Sequence, residues 1–111
     1  MRLRADIFVA ALIRRAQVRD AYAILRRRGA PEAGAIFVRV DRLDGVSALF
    51  GPAPQSEVGG DGERAFARMH KDEWIDNAAV EDRLRREIEF DPDLWIVDIE
   101  DRKGRDFLSL D

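Results

Sequence analysis

Residues 35–50 read AIFVRVDRLDGVSALF, and this stretch decides the fold because its hydrophobic pattern and its turn chemistry agree. Ile36, Val38 and Val40 recur at the two-residue period of a β-strand. Asp44-Gly45 supplies residues that accept the positive φ angles of a type I′ turn. The stretch therefore predicts a β-hairpin.

The turn also sets an expected register for the hairpin. With Asp44-Gly45 as a two-residue loop, Val40 lies opposite Leu49 and Arg39 lies opposite Phe50. Both faces of this hairpin are largely apolar, and a lone hairpin is marginally stable in water. The rest of the chain must therefore extend its sheet and cover both faces.

Length and composition indicate one domain and exclude several classes of protein. The chain has 111 residues, enough to bury a core unaided, and no cysteine, which rules out disulfides and thiolate metal sites. Its longest apolar run, residues 7–13, is too short to cross a membrane and has no signal-peptide cleavage site after it. We expect a cytoplasmic protein without membrane association.

The net charge of −3 hides an asymmetry between the two parts of the chain. Residues 1–42 carry ten arginines against four carboxylates, and residues 43–111 are acidic. Within one domain, this pattern is typical of halves that attract each other or of separately solvated faces. A basic binding face is the alternative.

The N-terminal third is predicted to form a strand and then a helix. Residues 7–13 are apolar at both parities, which favours a buried strand, although a buried helix is equally compatible. Residues 18–28 place apolar side chains on one helical face and end in three arginines before Gly29, which would cap the helix. Strand, helix and hairpin strand would then form a right-handed crossover.

The remaining elements follow from turn residues and periodicity. Residues 51–62, rich in glycine and proline, predict a mobile loop, and residues 63–70 predict a strand, with a helix as the alternative. Residues 77–90 predict a helix capped by Asn77. Residues 94–100 predict a strand, and residues 107–110 a short edge strand.

These elements together predict an α/β fold, a mixed sheet of about five strands with the hairpin 35–50 at its centre and two helices packed on it; α+β is the alternative class. On the second helix, we expect ion pairs from Glu81 to Arg85 and from Asp82 to Arg86.

Acidic residues near the last strand offer two candidate metal sites. Asp93 and the later Asp101-Arg102-Lys103 resemble a metal-dependent nuclease signature, but a strand between them holds Asp93 and Asp101 about 26 Å apart, too far to share an ion. Asp98 and Glu100, on one face of that strand, could form a weak oxygen-ligand site. A solvated acidic edge is the plainer interpretation, so no metal is predicted.

His70 is the only histidine and the one candidate for acid–base chemistry. It lies beside Asp72, so a small enzyme that uses His70 and nearby carboxylates is one hypothesis. No partner nucleophile sits in a recognisable motif, which favours a structural histidine.

Arginines near the ends of the first two elements form the candidate binding patch. These are Arg14, Arg15, Arg26, Arg27 and Arg28, and Arg19 between them is a further candidate. They could contact phosphates or an acidic partner. Few aromatic residues accompany them, so nucleic acid is the less favoured ligand.

Four segments carry a resemblance to a known family: residues 26–38 (RRRGAPEAGAIFV), 41–45 (DRLDG), 51–54 (GPAP) and 90–95 (FDPDLW). Together they resemble the domain of unknown function family 1491, small bacterial proteins. The resemblance implies a stand-alone bacterial domain and brings no substrate, cofactor or catalytic residue.

The leading functional hypothesis is a non-catalytic binding or interaction module, because the sequence offers charged surfaces and a loop at 51–62 but no assembled catalytic group. Binding of nucleic acid or an acidic partner through the arginines is the first alternative, and the His70 enzyme is the second. No cofactor is predicted, and the partner, whether another protein or a second copy of the chain, is open.

Overall fold

The computed structural model describes residues 3–54 and 64–108, which form two helices and a mixed six-stranded sheet. The elements in chain order are α1 (Ala5–Val18), β1 (Tyr22–Arg27), β2 (Ile36–Asp41), β3 (Val46–Pro52), β4 (Phe66–Arg68), β5 (Ile75–Asp76), α2 (Asn77–Phe90) and β6 (Trp95–Glu100). The strand order is β1-β6-β2-β3-β4, with β5 also paired to β3. β6 runs parallel to β2 and antiparallel to β1. The predicted class and the two packed helices are confirmed, with six strands where about five were expected.

The predicted strand at residues 7–13 is wrong, because this segment lies inside α1. The buried side chains of α1 are Ala5, Val9, Leu12 and Ala16, which recur every three or four residues on one helical face. Two of the four are alanines, whose small side chains let the helix approach the sheet closely. In the sequence, the continuous apolar run at residues 7–13 hides this helical period of three to four residues.

The predicted helix at residues 18–28 is also wrong. The first helix ends at Val18, Asp20 adopts a left-handed φ of 68°, and the chain then enters β1. Gly29 follows β1 and so caps no helix. A glycine fits there because the backbone of Asp93 is close: a Cβ at position 29 would lie 2.2 Å from the Asp93 carbonyl oxygen. Because β1 follows α1 and pairs antiparallel with β6, the predicted crossover unit is absent from the described chain.

The hairpin is confirmed as β2 and β3, but its register differs by one residue from the predicted one. Val40 pairs with Ala48, and Arg39 pairs with Leu49. The loop has three residues because Leu43, with a φ of 68°, joins Asp44-Gly45 in it, and the N–H of Arg42 donates to the carbonyl of Val46 at 3.2 Å.

The second helix is confirmed and begins one residue earlier than a cap at Asn77 predicts, while its polar contacts differ. Its N-cap is Asp76, whose side chain makes no capping bond; the Asn77 side chain instead accepts a hydrogen bond from the Ser47 hydroxyl. Arg85 pairs with Asp82 at 2.8 Å, not with Glu81, which reaches across to the sheet.

Four other predicted segments have mixed outcomes. β4 and β6 confirm the strands expected at 63–70 and 94–100, the former in a shorter version. β3 runs to Pro52, so the predicted 51–62 loop starts later than expected, and its residues from 55 onward lie outside the described ones. Phe107 and Leu108 belong to no strand, and the rest of the predicted 107–110 strand is likewise outside the described residues.

The two helices cover different halves of the sheet. α1 packs on β1 and β6 on one face, and α2 packs on β3 and β5 on the other. On the α2 face, Ile96 of β6 is buried in one cluster with Val80 and Leu84 of α2. Further out on the same face, Tyr22 and Ile24 of β1 are 58% and 41% exposed.

Candidate functional site

An open cleft of about 630 Å³ lies where α1 ends, β1 begins and β6 ends, beside the turn of the hairpin. β2 and β6 are parallel, and Asp41 pairs with Glu100, so the carboxyl ends of both strands meet at this edge. In sheets with parallel strands, this edge is where ligands commonly bind. We call it the strand-end cleft.

Three chain segments supply its walls. Arg19 and Asp20 form the connection from α1 to β1, and the left-handed φ of Asp20 turns the chain sharply there, a conformation that aspartate accepts more readily than most residues. Tyr22 is the first residue of β1. Residues 100–105, the end of β6 and the turn after it, complete the cleft with Leu43 of the hairpin loop.

A bidentate ion pair fixes one wall of the cleft. Arg105 donates from Nε to Asp101 Oδ2 at 2.8 Å and from a terminal nitrogen to Asp101 Oδ1 at 3.1 Å. The same guanidinium donates to the backbone carbonyl of Arg19 at 3.1 Å. The side-chain hydrogen bond from Arg105 lowers the pKa of Asp101 below its usual value. Arg105 thereby ties the turn after β6 to the end of α1.

Unlike Arg105, the other three cations that line the cleft are not held in ion pairs with described residues. Arg19, Arg102 and Lys103 form no ion pair with any residue in ranges 3–54 and 64–108. Two lining carboxylates, Asp20 and Glu100, do not balance them in full. With the exposed hydroxyl of Tyr22, these groups can donate charge-assisted hydrogen bonds to an anion.

A second cluster of charged residues lies between α2 and the sheet. Glu81 of α2 accepts hydrogen bonds from Arg26 of β1 and from Arg39 of β2, the latter at 2.9 Å. The side-chain hydrogen bond from Arg26 lowers the pKa of Glu81, and the same bond raises the pKa of Arg26. This three-residue bridge ties α2 to β1 and β2.

Asp98, one of the two carboxylates of the hypothetical oxygen-ligand site, lies beside this bridge. Its Oδ2 is 3.6 Å from Arg26, and its Oδ1 is buried with no hydrogen-bond partner in the described structure. Burial raises the pKa of Asp98 above its usual value. Within the described residues, no three His, Asp or Glu side chains are grouped to hold a metal ion.

His70 has both ring nitrogens at backbone groups. Nε2 accepts a hydrogen bond from the N–H of Leu49 at 3.0 Å, and Nδ1 is 2.6 Å from the carbonyl oxygen of Asp72. The partner from residue 72 is thus the backbone, not the carboxylate that the enzyme hypothesis requires. This arrangement is typical of a structural histidine.

The structure distributes the five arginines of the predicted patch over several surroundings. Arg14 is exposed on α1, and Arg15, also on α1, donates to the carbonyl of Phe107. Arg26 bonds to Glu81 under α2, and Arg27 donates to the carbonyl of Pro92 at 2.8 Å. Arg28 stacks over the ring of Trp95 at 5.5 Å, on the α1 side of the sheet.

The strand-end cleft is a feature that the sequence reasoning missed. Its uncommitted cations come from two separate segments, one before β1 and one after β6, and no motif links them. Two signals point to parts of it: Arg19, a candidate for the arginine patch, and Asp101-Arg102-Lys103, three charged residues directly after a buried strand. Nothing in the sequence shows that these two segments meet.

The chain's relatives can now be compared with this geometry. Residues 3–109 match the family described as "Protein of unknown function (DUF1491)". The chain belongs to the DUF1491 family. No curated protein matches it.

Solved structures of DUF1491 relatives share the fold. A crystal structure of a DUF1491 family protein from Caulobacter crescentus CB15 superposes with a TM-score of 0.82 at 42% identity, covering 96% of this chain and 95% of that one. The solution structure of protein Atu0922 from A. tumefaciens gives 0.77 at 41% identity, covering 90% and 86%. The fold of this chain is therefore shared by these DUF1491 relatives over nearly its full length.

No described helix has the length and apolar character needed to cross a bilayer.

Proposed function

We propose that this DUF1491 protein is a binding module that captures a carboxylate or phosphate group in the strand-end cleft. One observation carries the proposal: three cations, Arg19, Arg102 and Lys103, converge on an open cavity of about 630 Å³ without an ion-pair partner in the described chain. An anion placed there would gain charge-assisted hydrogen bonds without first breaking an existing ion pair.

The rigidity of the cleft supports this role. The Arg105–Asp101 pair and its further bond to Arg19 fix the turn after β6 before any ligand arrives. Preorganised walls lower the conformational entropy that binding must otherwise cost. Asp20 and Glu100 would repel ligands of high negative charge and favour a single anionic group.

The position of His70 favours a binding function over a catalytic one. Its two nitrogens already face the backbone at Leu49 and Asp72, away from the residues that line the cleft. A general base must reach the proton that it abstracts, and both ring nitrogens here have other partners.

The setting that we propose is the cytoplasm of a bacterium. The chain has no cysteine, as a reducing compartment permits, and its structural relatives come from Caulobacter crescentus and A. tumefaciens.

The test is a titration of the ¹⁵N-labelled protein with inorganic phosphate and, separately, with succinate, followed by amide chemical shifts. We expect saturable shifts at residues 19–22 and 100–105. The double variant Arg102→Ala/Lys103→Ala should lose them, since both side chains are exposed and remote from the core. A matched variant, Lys71→Ala/Arg86→Ala, removes the same charge elsewhere and should behave as wild type. Equal shifts in both variants would refute the proposal.

A further inference from the structure

β1 lies at an open edge of the sheet. It is the first strand in the order and pairs only with β6 among the described strands. At the other edge, β4 is only three residues long. An edge strand presents unpaired N–H and C=O groups that another chain can use.

The hydrogen bonds of β6 identify which groups of β1 point outward. The N–H of Trp95 donates to the carbonyl of Ala35, directly before β2, at 2.8 Å, and the N–H of Asp101 donates to the carbonyl of Asp41 at 3.0 Å. The odd-numbered residues of β6 therefore face β2. Backbone groups alternate along a strand, which turns Asp98 and Glu100 toward β1. Their partners Ile24 and Tyr22 therefore face inward, and Ala23 and Leu25 face outward.

An independent contact agrees with this assignment. The side chain of Gln17, on α1, donates from Nε2 to the carbonyl oxygen of Ala23 at 3.4 Å. That length is weak for a hydrogen bond. A flexible side chain therefore covers one outward carbonyl, and an incoming strand could displace it at little cost.

We infer that β1 pairs antiparallel with β1 of a second copy of this chain, with the two-fold axis at Ile24. In this register, Ala23 of each copy lies opposite Leu25 of the other. All outward backbone groups of both residues are then satisfied by four N–H···O bonds. An axis at residue 23 or at residue 25 would instead require outward groups from Ala21, before the strand, or from beyond the bulge that follows Leu25.

The exposed side chains of β1 fit this register. Ile24, 41% exposed, would pack against its own copy across the axis. Arg26 lies on the same face as Ile24, since it bonds to Glu81 of α2, and would lie opposite Tyr22 of the second copy. A guanidinium over an exposed phenol ring is a favourable cation–π pair, made twice by symmetry.

The same features limit the assembly to two copies. The bulge between Leu25 and Arg27 ends regular pairing, and a two-fold contact uses each β1 edge once. The short interface indicates a weak dimer, since contacts below about 1,200 Å² are typical of transient association.

Because Tyr22 also lines the strand-end cleft, Arg26 of the second copy would reach the rim of that cleft. The dimer itself does not depend on the cleft binding an anion.

The absence of cysteine allows a direct test of the axis. Ile24→Cys would place two thiols across a non-hydrogen-bonded pair, about 4.5 Å apart at Cα, within the range that a disulfide bridges. The control, Ile7→Cys, introduces a thiol on α1 at a position that is 50% exposed, somewhat more than Ile24. Under mild oxidation at low protein concentration, we expect Ile24→Cys to form a covalent dimer and Ile7→Cys to remain monomeric. Equal rates for both variants would overturn the inference.

Sedimentation velocity supplies the second measurement. We expect the wild-type chain to self-associate between about 10 µM and 1 mM, the range for a small interface. Ile24→Glu, which sets two carboxylates on the axis, should stay monomeric, and Ile7→Glu should behave as wild type. A wild-type chain that is monomeric throughout, or an Ile24→Glu variant that still dimerises, would contradict the proposed axis and favour a peptide as the occupant of this edge.

Discussion

The N–H of Leu49 donates a hydrogen bond to Nε2 of His70 at 3.0 Å, beyond the point where β4 ends. The carbonyl of Leu49 accepts from the N–H of Met69 at 2.9 Å. The histidine ring therefore continues the pairing of β3 after the backbone of β4 has turned away. To accept this bond, Nε2 must be unprotonated, which assigns the proton to Nδ1, facing the carbonyl of Asp72 at 2.6 Å.

This contact predicts that His70 stabilises the fold. Replacing it by phenylalanine should lower the free energy of unfolding by about 1–3 kcal/mol, because the Leu49 N–H loses its acceptor. Urea unfolding followed by circular dichroism measures the change. Lys71→Ala, at an exposed neighbour, is the control and should be neutral. A His70→Phe protein as stable as wild type would show that the hydrogen bond contributes nothing.

The bridge from Glu81 to Arg26 and Arg39 predicts a second stability effect. Glu81→Gln should destabilise by about 1–2 kcal/mol, less than for a fully buried pair because the site is partly exposed. Since the folded-state pKa of Glu81 is lowered, its contribution is present above its unfolded pKa and is lost as pH falls through the folded value. The difference between wild type and variant should therefore shrink in acid. Glu89→Gln, exposed on the same helix, should have no effect.

The ionised carboxylate of Asp98, unlike that of Glu81, is expected to destabilise the folded protein. Burial raises its folded-state pKa, so the ionised carboxylate costs stability above that pKa and the cost disappears once the group is protonated. Asp98→Asn should therefore melt at a higher temperature than wild type at about pH 7, and at the same temperature at about pH 3. Melting curves at the two pH values test this. A variant that melts lower at neutral pH would mean that attraction to Arg26 outweighs burial.

Two glycines should respond differently to alanine. Gly29→Ala drives a Cβ into the backbone of Asp93 and Leu94, with closest approaches of 2.2 and 2.6 Å, and should cost about 3 kcal/mol or more because backbone must move. Gly45→Ala meets no atom within 4 Å but keeps a φ of 96°, so only about 1 kcal/mol of backbone strain is expected. Chemical denaturation of both variants gives the comparison. Similar losses would contradict the close approach at Gly29.

The five arginines of the predicted patch should bind polyanions weakly. Arg26 and Arg28 lie on opposite sides of the sheet, and Arg27 is held by Pro92, so few of them can meet one surface at once. We expect elution from heparin at low salt, with a shallow dependence on salt concentration, because the slope counts simultaneous phosphate contacts. Strong retention that Arg14→Glu/Arg28→Glu abolishes would support the nucleic-acid hypothesis.

The sequence was informative where local chemistry decides structure. The alternation around Val38 and the Asp44-Gly45 pair identified the hairpin, and periodicity identified α2 with its bounds to within one residue. The register could not be read, because Leu43 adopts a left-handed φ that leucine rarely takes and so lengthens the loop. The N–H of Leu43 donates a hydrogen bond to the Asp41 carboxylate at 2.8 Å, which helps to hold the loop in this conformation.

The N-terminal errors have another physical cause. α1 buries alanines together with branched residues, so its helical period is weak beside the dense apolar run at 7–13. β1 is an edge strand with apolar side chains on both faces, since Tyr22 and Ile24 are exposed and Ala23 is buried, so its sequence lacks the alternation of apolar and polar residues that marks a strand. The strand-end cleft depends on both errors, because Arg19 and Tyr22 approach residues 100–105 only when β1 pairs with β6.

The place of β6 in the sheet has a consequence for how the protein is made. β6 follows every other described strand in the chain, yet it separates β1 from β2, and each pairing joins residues more than fifty positions apart. During synthesis, β1 and the hairpin emerge from the ribosome before the strand that lies between them in the sheet, and β1 cannot join β2 until Trp95–Glu100 has been made. The nascent chain therefore exposes strand edges throughout most of its translation, which is the period when a chaperone would have a surface to hold.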